Sequence, residues 1–191
     1  MELFKFHFYN LEEKSNHYAY PYFNKFVEKL MKPEVFPSSI IIEIGISNIS
    51  TIIFDAIANK YNGNFITCDN NQDKIDTIIN KLGTRTQIIT ESTIMFIYNL
   101  VTYIKTNDNF KNSKIHLHLN VYNTNLTDIE NANIYVNCYY IAKSLFISGS
   151  QLLVNTNNNK MLISILKKEI DNDCHITLND DNLMYLLFQW H

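Results

Sequence analysis

The sequence predicts an α/β fold: a doubly wound, mainly parallel sheet with a C-terminal antiparallel hairpin strand. Three observations carry this. Short β-branched apolar runs alternate five times with longer segments of helical periodicity. Alternation of that kind favours parallel strands with helices on both faces. Two further strand-like runs, 174–178 and 184–190, are joined by Asn179-Asp180-Asp181-Asn182, a link short enough for a hairpin.

Before the first core strand, Phe4, Phe6 and Phe8 alternate with Lys5 and His7, which suggests a short strand or extended arm. Tyr22, Phe23, Phe26, Val27 and Leu30 recur at helical spacing and predict a helix ending before Pro33. Residues 1–38 therefore read as an arm and a helix, and 39–191 as the core of one domain. The aromatic face of that helix suits packing on the sheet. The stretch Ser15-Asn16-His17-Tyr18 suits a lid over the sheet edge equally well.

The first core strand is 40–44, and a tight turn at Gly45 leads into a helix over 48–60, closed by Tyr61-Asn62-Gly63-Asn64. With only four glycines in the chain, Asn is expected to take left-handed turn positions. Strand two is 65–68, ending at Asp69. A helix over 73–82 follows, with Asp73 as its cap and Gly83 at its end. Strand three, 87–90, precedes Glu91 and a helix carrying Ile94, Ile97, Tyr98, Val101 and Ile104. Strand four is 115–121, with His116 and His118 on one face. A polar loop over 123–131 leads to a helix over 132–146, strand five at 151–155 and a helix over 160–170.

Composition narrows the function. The 191 residues are 46% hydrophobic and 18% charged, enough for a full core. A net charge of −3 gives no electrostatic case for nucleic acid. Cys68, Cys138 and Cys174 form no CxxC or zinc pattern and suit buried thiols in a reducing compartment. No apolar run reaches the roughly 18 residues of a membrane span, and the N-terminus does not read as a signal peptide. A cytoplasmic setting is expected.

Acidic residues stand where strands end: Glu43, Asp69 and Glu91. In an open α/β sheet, ligands bind beyond the carboxyl ends of the strands, and an acid roughly 20–25 residues past the first turn can accept both hydroxyls of a ribose. Asp69 has that spacing; its alternative role is to cap the next helix. Glu43 can face a cofactor or bond the backbone and a helix end. Glu91 or Ser92 is placed to touch a base.

Glu43-Ile44-Gly45-Ile46-Ser47-Asn48-Ile49-Ser50-Thr51, followed by Gly63-Asn64-Phe65-Ile66-Thr67-Cys68-Asp69, resembles class I S-adenosylmethionine-dependent methyltransferases. It is most similar to their small-molecule and sugar O-methyltransferase branches. Leu145-Phe146-Ile147-Ser148-Gly149-Ser150-Gln151-Leu152-Leu153-Val154 resembles that family's turn into strand five, and Glu13-Lys14-Ser15-Asn16-His17-Tyr18 a substrate-side segment of some sugar methyltransferases. The resemblance implies a Rossmann-like fold, S-adenosyl-L-methionine as cofactor near Glu43, Gly45, Ser47 and Asp69, and transfer of a methyl group to a small-molecule or sugar hydroxyl.

The sequence departs from the family at two places. Only Gly45 remains of a turn that usually holds two or three glycines, with Ser47 and Ile49 at the later positions. Where metal-dependent members place acids, this chain has Asn120, Tyr122 and Asn123, then Asn155-Thr156. Amides are poor ligands for hard cations, so no divalent metal is expected. A hydroxyl acceptor needs a base, and His116, His118 and His17 are the candidates. The paired histidines read equally as a hydrogen-bonded buried pair. Tyr122 or Asn123 is placed to orient a substrate. The rival from another class is a catalytically inactive methyltransferase-fold scaffold. A nucleic-acid methyltransferase is disfavoured by the acidic charge.

Overall fold

The computed structural model describes residues 21–32, 39–170, 175–176 and 185–190. The arm, His17 and its neighbours, and Cys174 lie outside the described residues. The elements run α1 (Pro21–Leu30), β1 (Ser39–Ile44), α2 (Ser50–Tyr61), β2 (Asn64–Asp69), α3 (Gln72–Ile78), β3 (Thr86–Thr90) and α4 (Thr93–Thr106). They continue with β4 (Lys114–Leu119), α5 (Asp128–Ala142), β5 (Gln151–Asn155), α6 (Lys160–Ile170), β6 (His175–Ile176) and β7 (Tyr185–Gln189).

The strands form one sheet in the order β3-β2-β1-β4-β5-β7-β6. The first five are mutually parallel, while β7 runs antiparallel to β5 and β6. The order reverses between β1 and β4, so their carboxyl ends flank the crevice where doubly wound sheets bind ligands.

Alternation along the strands divides the core in two. Ile40, Ile42 and Ile44 face a cluster built with α4, α5 and α6, including Phe96, Tyr135, Cys138 and Leu166. Ile41 faces the other layer, where Tyr22, Phe23 and Phe26 of α1 meet Phe54 of α2 and Phe65. The expected apolar face of α1 is therefore its buried face. Truncating a ring as enclosed as Phe26, 0% exposed, costs about 3–5 kcal/mol.

Several boundaries differ from expectation for local reasons. Helix α5 begins at Asp128 rather than residue 132, because Thr127 and Glu130 form a reciprocal capping box. Strand β4 stops at Leu119, where the Asn120 amide donates to Ile44 O. Helix α2 starts at Ser50 rather than residue 48. Asn71, not Asp73, caps α3, its side chain accepting from Lys74 N. That helix tightens into a 3-10 turn over Ile79–Lys81, and the Gly83 amide bonds Asp55 Oδ1. Asn62 ends α2 in the left-handed conformation at φ 54°, the substitution of Asn for Gly that the composition implied.

Candidate cofactor and substrate site

The first turn is fixed by sterics before any ligand is considered. Gly45 has φ +89°, and a Cβ there would lie 2.0 Å from Asn120 O. Its amide donates to Cys68 O at 2.8 Å, and its carbonyl accepts from Asn120 Nδ2 at 3.1 Å. The turn is thus clamped between the ends of β2 and β4.

Beneath it, Glu43 is 0% exposed. Its carboxylate accepts from the hydroxyls of Ser50 and Thr51 at the start of α2, and from Thr67 Oγ1 at 3.4 Å. His118 Nδ1 lies 3.0 Å from Glu43 Oε1. Both carboxylate oxygens are therefore committed inside the protein, which corresponds to the structural alternative for this residue. Ser47 acts in the same framework. Its Oγ accepts from the Ser50 amide at 2.9 Å, and its own amide donates to Thr51 Oγ1 at 3.0 Å. Hydroxyl side chains here occupy donors that a glycine-rich turn would leave bare.

Asp69 stands at the tip of β2 and is 7% exposed. Its Oδ2 accepts from the Ile46 amide at 3.0 Å and lies 3.4 Å from Lys74 Nζ; its Oδ1 accepts from the Asn71 amide at 2.9 Å. The carboxylate neither caps α3 nor points into solvent. It staples the first turn to the second. A carboxylate offers about four acceptor positions, so capacity remains on it. Ile46 packs against Ile75 and Ile78, while Ile49 is 42% exposed.

At the end of β3, Glu91 Oε1 accepts from Asn99 Nδ2 at 3.0 Å. Ser92 is exposed and precedes α4 without capping it through its side chain. Its hydroxyl adjoins the free amides of a helix N-terminus.

The substrate-side candidates sit past β4. Tyr122 OH lies 3.5 Å from both Asp128 Oδ1 and Asn159 Nδ2. Asn123 is held by Asn131: its amide donates to Asn131 Oδ1 at 2.9 Å and its carbonyl accepts from Asn131 Nδ2 at 3.0 Å. The sequence marked Asn120 and Asn155 as amides in place of acids, but not that they bond each other at the centre of the edge. Asn155 Nδ2 donates to Asn120 Oδ1 at 2.7 Å, linking β5 to β4 and, through Asn120, to Gly45. The remaining groups of the pair bond backbone: Asn120 Nδ2 donates to Gly45 O, and Asn155 Oδ1 accepts from the Asn157 amide at 3.0 Å. Among the described residues, no group of three or more His, Cys, Asp or Glu is placed to hold a metal ion.

His116 and His118 point the other way, into the layer under α1, and both are 0% exposed. Phe26 meets the His116 ring edge-on at a centroid distance of 6.2 Å, and Phe54 meets His118 at 5.6 Å. Burial pushes the His116 pKa down to about 3. Among the described residues both rings lie within this layer, which is the placement of the buried-pair alternative. Burial likewise raises the Cys68 and Cys138 thiols to about 12, which makes them inert packing groups.

No protein-family model matches the sequence, and no curated protein matches it. Solved structures do. The chain is similar to the SAH-bound Podospora anserina methyltransferase PaMTH1, with a TM-score of 0.58, 11% identity, and coverage of 87% of this chain and 76% of that one. Human methyltransferase-like protein 13 in complex with SAH gives a TM-score of 0.58 at 10% identity, covering 87% and 80%. A fibrillarin/Nop5p complex gives 0.51 at 7%, covering 81% and 73%. Identities this low establish architecture alone. Strand order, the antiparallel last pair and these superpositions together show that the chain has the class I, Rossmann-like methyltransferase fold.

Proposed function

We propose that the chain binds S-adenosyl-L-methionine across the carboxyl ends of β1, β2 and β3 and transfers its methyl group to a hydroxyl of a small molecule or sugar. The observation that carries this reading is Asp69, a nearly buried carboxylate at the tip of β2, 3.0 Å from the first-turn amide of Ile46. It keeps acceptor positions for a ribose diol. Glu91 and Ser92 would meet the base, and Gly45 and Ser47 the amino-acid end. Glu43 would act from below, holding Ser50 and Thr51 in place. The cofactor supplies the electrophilic methyl group; the protein holds the acceptor in line and takes the hydroxyl proton. Tyr122 and Asn123 are the acceptor-side residues, and His17 is the candidate base that remains when His116 and His118 are assigned to the core.

A second reading, a non-catalytic scaffold of the same fold, draws on a specific observation. The Ile46, Ser47 and Ser50 amides already have side-chain acceptors, and the Asn120–Asn155 pair stands where the family's metal-dependent members carry acids. Calorimetric titration separates the two. The enzyme reading expects micromolar binding of S-adenosylmethionine and of its demethylated product, weakened at least tenfold, about 1.4 kcal/mol, in Asp69→Ala. No heat at millimolar ligand with folded protein leaves the scaffold reading standing.

A further inference from the structure

Strand β3 closes one end of the sheet, paired on one side with β2 and, among the described residues, on the other side with no strand. We propose that this edge pairs with the same edge of a second copy, antiparallel and centred on Ile88, to give a two-fold homodimer with one continuous sheet.

The backbone sets the phase. The Phe65 amide donates to Arg85 O, and Phe65 stands in register with Thr86. In a parallel ladder the partner's bonding residues alternate, so Gln87 and Ile89 turn their amides and carbonyls to β2. Thr86, Ile88 and Thr90 turn theirs outward, although the Thr86 amide already donates within the chain to Gly83 O at 3.4 Å. An antiparallel mate meets the outward groups of Ile88 and both flanking threonines only when Ile88 faces Ile88 and Thr86 faces Thr90, the Thr86 amide exchanging its 3.4 Å bond to Gly83 O for one to the mate. Shifting the centre to Thr86 or Thr90 strands the groups at the other end.

The side chains fit the same register. With Ile88 at the centre, Arg85 of each copy stands directly opposite Glu91 of the other; turning from their exposed intrachain partners Asn62 and Asn99, they would close the ends of the ladder as two opposite-charge pairs. Thr86–Thr90 and Ile88–Ile88 are cross-strand pairings of the kind that stabilise antiparallel sheets, each worth up to about 1 kcal/mol. Nothing within Thr86–Thr90 blocks an approach: the strand Thr-Gln-Ile-Ile-Thr holds no charge and no proline, the devices that normally protect an edge. Ile89 is 36% exposed on it, and Ile94 and Met95, in the first turn of the helix that follows, are 37% and 52% exposed. A strand pairs such a row of amides and carbonyls in one step, and the charge order Arg85…Glu91 is complementary to its own reverse.

Sedimentation equilibrium of the full chain over a concentration series tests this. The expected result is a mass approaching twice 22.4 kDa. Arg85→Glu, which sets a carboxylate opposite each Glu91, should weaken association at least tenfold. Glu91→Arg should do the same, and the double exchange Arg85→Glu with Glu91→Arg should restore it. Hydrogen exchange on the unaltered chain gives an independent reading: the Ile88 and Thr90 amides should be protected at high concentration and exchange freely on dilution. A monomer throughout the series overturns the proposal. So does a dimer that the charge reversals do not weaken and whose Ile88 and Thr90 amides exchange freely.

Discussion

Gly45 is the position of the first turn that admits no side chain. Its positive φ and the 2.0 Å approach of Asn120 O leave a methyl group nowhere to go. Gly45→Ala should therefore destabilise the fold by about 1–3 kcal/mol from backbone strain, with the clash adding to it. Urea denaturation checks this, and a midpoint within error of the unaltered chain would contradict it. The requirement for glycine was legible, since a strand, one Gly and a helix start are consecutive in sequence. The partners that make it absolute were not, because Asn120 arrives on β4. Asp69 is a similar case. Its place at the end of β2 could be read from spacing, but its bond to the Ile46 amide joins residues 23 apart and depends on how β1 and β2 are paired. The histidines mark the limit of periodicity. Alternation put His116 and His118 on one face, but only the packing of α1 decides that this face is sealed.

At the level of elements, the sheet was legible and several helix starts were not. Strand β5 and helix α6 begin and end where the pattern predicted, because an apolar run and an amphipathic repeat lie between clear turn residues. Helix α5 was read at the right length but four residues late, over 132–146 instead of Asp128–Ala142. Its apolar repeat begins near Ala132, but the helix is nucleated four residues earlier by Thr127 and Glu130, a signal of the form Thr-x-x-Glu that the sequence does display. The Thr127 hydroxyl accepts from the Glu130 amide, and the Thr127 amide donates to Glu130 Oε2 at 2.8 Å. Thr127→Ala should cost about 1 kcal/mol, read as a lower urea midpoint at unchanged slope. If the cap is structural alone, Thr127→Ser should recover most of that loss. A Ser variant no better than Ala would show that the hydroxyl is not what starts the helix.

For the whole molecule, one face of the sheet carries ionisable rings in a layer built for hydrocarbon. His116 sits beneath Phe26 with Nδ1 3.1 Å from Gln151 Oε1. Its pKa is held at about 3, first by burial and then by the positive charge of Lys29; the Gln151 contact opposes this and Lys114 adds to it. The consequence for stability has a definite sign. Above pH 6.5 the ring is neutral in both folded and unfolded chains and contributes no pH dependence. Below 6.5 the unfolded chain takes up a proton that the folded chain refuses until about pH 3, so stability falls as the medium is acidified through that window. The limiting slope is about 1.4 kcal/mol per pH unit. Carboxylates titrate in the lower part of the same range, so the measurement is a comparison: urea midpoints of the unaltered chain and of His116→Asn, from pH 7.5 down to about pH 4.5. The variant starts from lower stability because it loses ring packing against Phe26, but its curve should be shallower by about one proton's worth between pH 6 and 4.5. Parallel curves would mean that water or a nearby acid reaches the ring in the native state, and the sealed layer under α1 would have to be redrawn as an open one.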